Sequence, residues 1–177
     1  MSKAAKHWSG EVHAMLRDWR TDLVSYVPDA GHAKLIDLCR ADRATRTVPL
    51  ATEEEGVALA TGAWLGGVRH VMLMQSSGVG NCVNMFAMLK TCQVPFLTLV
   101  TMRGEFGEFH PFQMPMGQGT PGAFGLMDFV VLRADRAKDV APSVEAALKL
   151  VFNSYNRVAV LLGQRLLGAK DFRAARE

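Results

Sequence analysis

The sequence predicts an α/β fold in three layers: a doubly wound, six-stranded parallel sheet with helices on both faces. Short apolar runs alternate along the chain with segments whose apolar residues recur at a helical spacing. Such alternation is typical of a parallel sheet covered by helices. Several runs are apolar almost throughout, as strands buried on both faces require. The 177 residues suit one domain, and no internal repeat is visible.

Each predicted element has a local signal. The strands share short, mostly apolar runs, at residues 23–27, 47–51, 70–75, 96–101, 129–132 and 158–162. The helices share a helical spacing of apolar residues, at residues 11–22, 32–40, 53–65 and 81–91 and from Pro142 onward. Leu35, Ile36 and Leu38 should face inward in the second helix, and Gly66 with Gly67 should close the third.

The remaining segments have no clear period. Residues 76–80 are predicted to form a Gly-rich loop between a strand and a helix. Residues 103–124 are rich in Gly, Pro and Met, and an irregular segment of this length is usually functional or mobile. The charged tail over 164–177 should lie at the surface or in an interface. Because ligands of open parallel sheets bind beyond the carboxyl ends of the strands, a site is expected in the loops that follow the strands.

Composition limits the classes of function. Hydrophobic residues make up 49% of the chain and charged residues 21%, with a net charge of +3 and no basic run typical of nucleic-acid or anionic-lipid binding. No apolar stretch reaches the roughly 18 residues that span a membrane, and residues 1–12 lack the apolar core of a signal peptide. Cys39, Cys82 and Cys92 occupy apolar patterns, so we expect core thiols of a cytoplasmic protein rather than disulfides or zinc ligands.

Three consecutive acidic residues, Glu53, Glu54 and Glu55, begin the third helix. Thr52 and Glu55 have the spacing of a capping box, which gives Glu55 a structural task, and acidic residues in a first turn also suit the helix dipole. One interpretation is therefore a well-capped helix start. The other interpretation is a functional carboxyl group at Glu53, the first helical residue at the ligand edge of the sheet. Beyond its three acidic residues, the helix that Glu53 begins is very apolar.

The Gly-rich loop also has two interpretations. Gly78 and Gly80 permit close backbone approach to a ligand, and a phosphate at the N-terminus of the next helix is one such ligand. The alternative is a plain turn between strand and helix. Neither the third glycine of a dinucleotide fingerprint nor a Walker Gly-Lys-Ser/Thr is present.

Taken together, several segments resemble thiamine-diphosphate-dependent decarboxylases. They are YVPDAGH, EEEGVALATGAWLGG, LMQSSGVGNCVNMF, TMRGE and PMGQGT. The resemblance is strongest to sulfopyruvate decarboxylase alpha subunits and phosphonopyruvate decarboxylases, and it runs from about Leu23 to Thr120. It implies the thiamine-diphosphate-binding fold, with residues 1–177 as a single pyrimidine-binding domain.

The resemblance implies a catalytic and cofactor-binding role for Glu53. In these enzymes a glutamate hydrogen-bonds N1′ of the cofactor's aminopyrimidine and favours the 4′-imino form, which removes the proton from C2 of the thiazolium. The carbanion attacks the 2-oxo group of the substrate, and carbon dioxide leaves. Gly78, Val79, Gly80 and Asn81 match the cofactor-binding loop beside the pyrimidine.

The same resemblance implies residues on the substrate side. Gln75 occupies a place where some related decarboxylases have an active-site histidine. A glutamine is no general base, but it can orient a substrate or an intermediate by hydrogen bonds. Asp29, Ala30, Gly31 and His32 would border the substrate carboxylate.

Two residues of the irregular segment are further candidates. Arg103 could bind an anionic end of the substrate or be a solvated or interface arginine. His110 could shuttle protons or be an ordinary loop histidine. The chain departs from the decarboxylases around His110, where its side chains are unexpectedly apolar for a sulfonate or phosphonate pocket: Phe106, Phe109, Phe112, Met114 and Met116.

The family binds the cofactor diphosphate and Mg²⁺ through a second domain that carries Gly-Asp-Gly, and no Gly-Asp-Gly occurs in this sequence. The resemblance therefore implies a separately encoded beta subunit, in an α2β2 or larger heteromer, with no metal ligand on this chain. The leading hypothesis is an alpha subunit acting on sulfopyruvate or phosphonopyruvate. Two alternatives remain: a decarboxylase or carboligase subunit for a more apolar 2-oxo acid, and a non-catalytic flavodoxin-like binding or regulatory module.

Overall fold

In the computed structural model, which describes residues 5–169 and the side chains from Trp8 onward, all six predicted strands are present. They are β1 (Leu23–Tyr26), β2 (Arg46–Pro49), β3 (His70–Gln75), β4 (Phe96–Thr101), β5 (Val130–Ala134) and β6 (Arg157–Leu162). The helices are α1 (Ala5–Asp18), α2 (Ala33–Ala41), α3 (Glu53–Leu65), α4 (Ser76–Cys82), α5 (Phe86–Thr91), α6 (Met114–Leu126), α7 (Ala137–Phe152) and α8 (Gln164–Leu167). A 3-10 turn, Pro111–Gln113, precedes α6.

The strands form one parallel sheet in the order β2-β1-β3-β4-β6-β5. Leu23 at the start of β1 pairs with Arg46 and His70 at the starts of its two neighbours, so the strands also end along a common edge. Helices α1, α2 and α7 pack on one face, and α3 to α6 pack on the other. The predicted three-layer α/β fold is confirmed.

Alternate residues of the central strands enter two separate cores. In β3, Val71 and Leu73 pack with α1, α2 and α7, whereas Met72 and Met74 pack with α3 to α6. All four side chains are fully buried. This is the period-2 alternation of a strand with both faces covered, and it explains why the run is apolar throughout.

Four phenylalanines hold α5 and α6 against the sheet. The ring of Phe86 lies 4.9 Å from that of Phe129 and 5.4 Å from that of Phe124, between centroids. Phe96 packs edge-to-face on Phe129 at 6.0 Å. Such pairs contribute about 0.5–1.5 kcal/mol each beyond the burial of their area. The cluster anchors α6, whose many glycines give it little side-chain surface of its own.

Two glycine-rich segments that the sequence predicts to be irregular are helical. Residues 76–80 form most of α4, which is separate from α5, and α6 occupies residues 114–126. Glycines in both helices allow other elements to approach closely. A Cβ on Gly78 would lie 2.1 Å from Glu53 Oε1, and one on Gly117 would lie 1.9 Å from the carbonyl oxygen of Arg103. These contacts are long-range, so the local sequence pattern does not record them.

The first and last long helices begin earlier than predicted. Helix α1 begins at Ala5 and ends at Asp18, because Trp8 adds a turn that is buried in the core. Helix α7 begins at Ala137, so Pro142 lies inside it and not at its start. Val140, fully buried, extends the helix on the N-terminal side of the proline.

Three predictions about side-chain burial are corrected. Cys39 takes the third inward position of α2, and Leu38 is only half-buried. Cys39 and Cys82 are buried, but Cys92 is exposed. Gln164, expected at the surface or in an interface with the charged tail, is buried within the chain; residues 170–177 of that tail lie outside the described residues. Within the described part of the chain, no helix has both the length and the apolar character needed to cross a membrane.

Candidate active site at the carboxyl edge of the sheet

The carboxyl ends of β1, β3 and β4 bring distant segments together. Asp29 follows β1, Gln75 ends β3, Thr101 ends β4, and Glu53 opens α3 after β2. Because these strands are parallel and adjacent in space, the loops that follow them meet at one edge of the sheet. Most of the predicted site residues lie there.

Glu53 is the first residue of α3, and only 8% of its surface is exposed. Asn81 Nδ2 donates a hydrogen bond to Glu53 Oε2 at 2.9 Å. Gly78 leaves room for the carboxyl group, since a Cβ there would lie 2.1 Å from Oε1. Oε1 has no hydrogen-bond partner among residues 5–169. The described residues therefore hold one oxygen of the carboxyl group and leave the other with its hydrogen-bonding capacity unused.

The neighbours of Glu53 have structural tasks. Glu55 Oε2 accepts from the backbone N–H of Ala51 at 2.9 Å. Thr52 Oγ1 donates to Glu54 and makes no bond to the helix N-terminus. Only the glutamate half of the predicted capping box therefore forms, and it reaches Ala51. The hydrogen bond from Thr52 holds the pKa of Glu54 below its ordinary value.

Helix α4 supplies both contacts and packing to the site. Gly78 and Asn81 lie against Glu53, whereas Val79 is fully buried in the core. Gly80 approaches α6, where a Cβ would come 3.0 Å from a methionine sulfur. Burial, reinforced by the charge of Glu53, raises the pKa of the Cys82 thiol. The thiol is therefore an uncharged neighbour of Glu53.

The Asp29 carboxylate joins three strand ends. Its Oδ1 accepts from Gln75 Nε2 at 3.0 Å, and its Oδ2 accepts from Thr101 Oγ1 at 2.7 Å. The backbone N–H groups of Gly31 and His32 donate to the same Oδ2 at 3.0 and 3.3 Å. Only 9% of the Asp29 side chain is exposed. The loop after β1 is thus closed on its own carboxylate, as in an Asx turn.

This closure occupies backbone donors of the segment that the resemblance places beside a substrate carboxylate. The amides of Gly31 and His32 already donate to Asp29. A carboxylate only accepts hydrogen bonds, so Asp29 cannot itself bind the carboxylate of a substrate. Gly31 is also tightly packed, because a Cβ there would lie 2.6 Å from Thr101 Cγ2. Ala30 is the exposed member of this predicted group.

His32 lies under the same loop and is fully buried. Its Nδ1 is 3.7 Å from Asp29 Oδ2, and neither ring nitrogen has a hydrogen-bond partner within the described residues. Burial lowers the pKa of His32 from 6.5 to about 4, although Asp29 opposes the shift. His32 is therefore a neutral packing residue at pH 7.

Gln75 uses both ends of its side-chain amide. Its Nε2 donates to Asp29, and its Oε1 accepts from Ser77 Oγ at 2.9 Å. An amide has two N–H groups and two lone pairs on its oxygen. Gln75 therefore keeps one donor and one acceptor for a further partner.

Arg103, predicted as an anion-binding group, is paired within the chain. Its Nε and Nη2 donate to the two carboxylate oxygens of Glu108 at 2.6 and 2.7 Å. The pair is largely buried, with 14% of the Arg103 side chain and 1% of the Glu108 side chain exposed. The hydrogen bonds from Arg103 lower the pKa of Glu108 to about 2. Sequence analysis missed Glu108, whose only signal is a carboxylate close after Arg103 in an apolar segment.

Glu108 and Gln164 fix the loop after β4. Glu108 also accepts from the backbone N–H of His110 at 3.0 Å and from Gln164 Nε2 at 3.0 Å. Gln164 Oε1 accepts from the backbone N–H groups of Glu105 and Phe106, each at 2.9 Å. The loop is therefore tied to the first residue of α8, which follows β6 at the same edge of the sheet.

His110 and three phenylalanines lie on the outside of this loop. His110 is exposed, and its Nδ1 accepts from the backbone N–H of Phe112 at 3.3 Å. Phe106, Phe109 and Phe112 are 49%, 48% and 77% exposed. Among the described residues, no hydrogen bond or ring contact joins His110 to Glu53. The structure therefore brings residues 29–32, 53, 75 and 78–81 together, with His110 on a separate loop.

Metal ligands are not grouped anywhere in residues 5–169: no three His, Cys, Asp or Glu side chains are arranged to hold an ion there. The described part of the site offers hydrogen-bonding groups at Glu53 and Gln75 instead.

Comparison with known proteins identifies several relatives, although no protein-family model matches the chain. The chain is 30% identical over 155 residues to sulfopyruvate decarboxylase subunit alpha of Methanococcus maripaludis, covering 87% of this chain and 93% of that protein. It is 32% identical to the same subunit of Methanothermobacter thermautotrophicus, covering 87% and 94%. It is 37% identical over 107 residues to phosphonopyruvate decarboxylase of Streptomyces hygroscopicus, covering 59% of this chain and 27% of that protein.

The fold is also similar to a solved structure, a 2-oxoglutarate:ferredoxin oxidoreductase from Magnetococcus marinus. The TM-score is 0.73 at 17% sequence identity, over 90% of this chain and 29% of that chain. At this level of identity the similarity concerns the fold alone.

Proposed function

Because the chain belongs to the family of sulfopyruvate decarboxylase alpha subunits, we propose that it is the alpha subunit of a thiamine-diphosphate-dependent 2-oxo acid decarboxylase. The observation that carries this proposal is the arrangement of Glu53. Its carboxyl group is nearly buried at the ligand edge of the sheet, held by Asn81 at Oε2, and free at Oε1. Glu53 would be the glutamate that activates the cofactor's aminopyrimidine.

The groups around Glu53 fit an aminopyrimidine ring. Such a ring has a nitrogen, N1′, that a carboxyl group can hydrogen-bond, and Oε1 is the oxygen available for it. The absence of a side chain at Gly78 leaves room for the carboxyl group in this position, because a Cβ would lie 2.1 Å from Oε1. When bound, thiamine diphosphate supplies a carbon nucleophile for the 2-oxo group and a sink for the electrons released on decarboxylation.

Other residues of the chain would orient Glu53 and the substrate. Asn81 donates to Oε2 and thereby determines which oxygen of Glu53 remains free. The backbone from Gly78 to Asn81 would pack beside the pyrimidine. Gln75 keeps one N–H and one lone pair, with which it would orient the substrate by hydrogen bonds.

We infer a second subunit for the rest of the site. The relatives matched over 93% and 94% of their length are named subunit alpha. The sequence contains no Gly-Asp-Gly, and residues 5–169 group no metal ligands. A separately encoded beta subunit would bind the diphosphate and Mg²⁺, in an α2β2 or larger heteromer. This chain, a single domain over residues 1–177, would be the pyrimidine half of the site.

The relatives' names suggest an anionic three-carbon substrate such as sulfopyruvate or phosphonopyruvate. The loop after β4 favours a second candidate, a subunit acting on a more apolar 2-oxo acid. Arg103 is already neutralised by Glu108, and Phe106 and Phe112 are exposed on the same loop. Carbon dioxide release by the co-expressed pair, measured across anionic and apolar 2-oxo acids, decides between the two.

The variant Glu53→Gln tests the role of Glu53. In the complex with the beta subunit it should lower kcat by about 100-fold or more, because an amide cannot exchange a proton with the aminopyrimidine. Assembly, followed by size-exclusion chromatography, should be unchanged. Glu54→Gln, the adjacent acidic residue bonded to Thr52, is the matched control and should stay within about twofold of wild type. Wild-type turnover by Glu53→Gln would remove Glu53 from the mechanism.

Decarboxylation by this chain alone, with thiamine diphosphate and Mg²⁺, would contradict the shared site.

A further inference from the structure

Gln75 lies one residue before α4, and the direction in which its amide points depends on Asp29. We propose that Asp29 is a positioning residue, whose carboxylate sets the direction of the Gln75 amide so that the amide can orient the substrate as it reacts. This proposal rests on the proposed function, because it assigns Asp29 a task in the same site.

The first step concerns the two ends of the amide. The N–H₂ and C=O ends of a glutamine have nearly the same shape, so a half-turn exchanges donor and acceptor at little steric cost. Gln75 Nε2 lies 3.0 Å from Asp29 Oδ1, and a carboxylate only accepts. The N–H₂ end must therefore face Asp29. Ser77 Oγ, which can donate or accept, follows by donating to Oε1 at 2.9 Å.

The second step concerns what holds the carboxylate. Oδ2 of Asp29 receives three donors, from Thr101 Oγ1 and from the backbone of Gly31 and His32. Gly31 packs so closely on Thr101 that a Cβ would lie 2.6 Å from its methyl carbon. Asp29 is consequently held at Oδ2, and its Oδ1 faces Gln75.

The third step is what an amide at position 29 would do. In Asp29→Asn, the three donors at Oδ2 keep the carbonyl oxygen of the new side chain in that place. The amide nitrogen must then occupy the place of Oδ1 and donate toward Gln75. Gln75 has to turn over and present Oε1 to it, while Ser77 changes from donor to acceptor. The free donor and acceptor of Gln75 are thereby exchanged, although the loop keeps its shape.

The experiment uses the full-length chain in complex with the beta subunit. Asp29→Asn should lower kcat by about 10-fold or more, with KM within about twofold, because a reversed amide presents the wrong group to the reacting substrate. The side-chain amide signal of Gln75, in protein labelled with ¹⁵N at glutamine, should shift. Asp37 is an exposed carboxyl that lines one surface pocket together with Asp29. Asp37→Asn is therefore the matched control and should change neither the kinetic constants nor the Gln75 signal.

A variant that lacks the Gln75 amide distinguishes two roles of Asp29: positioning that amide, and supporting the loop after β1. In Gln75→Ala, adding Asp29→Asn should lower kcat by no more than about twofold. Equal loss of kcat in both backgrounds, or an unchanged Gln75 signal, would overturn the proposal. In Ser77→Ala, Asp29 still accepts from the Gln75 amide, so kcat should fall by less than about threefold. If the wild-type complex decarboxylates no 2-oxo acid, the proposed function fails, and the Gln75 signal alone decides whether Asp29 orients the amide.

Discussion

Glu53 and Gly78 are packed so closely that the carboxyl group keeps its position only if residue 78 has no side chain. The carboxyl group of Glu53 fills the volume that a side chain at position 78 would need, and Asn81 holds the oxygen on the far side. The sequence singles out Glu53 by its position at the helix start, and the structure places it at the predicted edge. The sequence does not predict that Asn81 hydrogen-bonds Glu53, because the two residues are far apart along the chain and meet only through the fold.

Gly78→Ala tests this shared space. The added Cβ would lie 2.1 Å from Glu53 Oε1, so the carboxyl group must move. We expect decarboxylase activity of the complex to be largely lost and the free energy of unfolding to fall by about 1–3 kcal/mol, as for overpacked sites. Urea unfolding and kcat measure the two effects.

Gly122→Ala is the matched control for Gly78→Ala. Gly122 lies in α6, where an added Cβ would meet no atom of another element within 4 Å. Replacement of a helical glycine by alanine in open space should stabilise the protein by up to about 1 kcal/mol. Full activity and wild-type stability in Gly78→Ala would contradict the close contact with Glu53.

At the scale of elements, the strands and α3 could be predicted because their own residues determine them. Bounds for α3, β3 and β4 agree with the prediction, since each has a continuous local signal. Helix α6 could not be predicted from the sequence, because each glycine in it lowers helix propensity by about 1 kcal/mol relative to alanine. Phe124 and Thr120, both fully buried, stabilise α6 by tertiary packing. Packing of this kind overrides propensity and leaves no period in the sequence.

The loop after β4 offers a test at the same scale, because Glu108 ties it to Arg103 and Gln164. Glu108→Gln leaves the buried guanidinium of Arg103 without its anion, and loss of one partner of a buried pair typically costs about 3–5 kcal/mol. We expect a destabilisation of at least about 2 kcal/mol in urea unfolding, since 14% of the Arg103 side chain remains exposed. Hydrogen exchange should accelerate over residues 103–110.

An exposed ion pair supplies the control for Glu108→Gln. Glu145 pairs with Lys149 one helical turn away in α7, with 49% and 57% of their side chains exposed. Glu145→Gln should therefore change the free energy of unfolding by less than about 0.5 kcal/mol. Equal losses in the two variants would show that Glu108 contributes no more than a surface charge.

At the scale of the whole molecule, the predicted fold class and the predicted family are confirmed. So is the predicted class of enzyme, a carboxy-lyase subunit. Motifs determine a family because they lie in the loops that follow successive strands, which a parallel sheet brings to one edge. The pairing state of charged groups is a different matter. Arg103 with Glu108, and Asp29 with Thr101, are contacts between side chains that depend on how the loops fold back. The sequence therefore predicts where the candidate site lies but not which of its charged groups are already paired.

Two buried histidines at opposite edges of the sheet give the whole molecule a predictable response to acid. His32 follows β1 at the carboxyl edge and His70 begins β3 at the amino edge, and both are buried. Burial lowers their pKa values from 6.5 to about 4 and about 3. His70 Nε2 is hydrogen-bonded to Ser25 Oγ at 2.7 Å, whereas its Nδ1 has no partner within the described residues.

These two lowered pKa values determine how the free energy of unfolding changes with pH. Below pH 6.5 the unfolded chain binds protons at His32 and His70 that the folded chain does not bind, so stability present above pH 6.5 is lost as the pH falls toward 4. Each histidine should contribute a slope of up to about 1.4 kcal/mol per pH unit. Urea unfolding between pH 7 and pH 5 measures the slope, and this range stays above 4.5, the ordinary pKa of Glu108. His70→Gln should reduce the loss over this range by about half even if the variant is less stable at every pH, because only His32 of the two still titrates. An unchanged slope in His70→Gln would show that His70 is protonated in the folded protein, and that its burial does not keep it neutral.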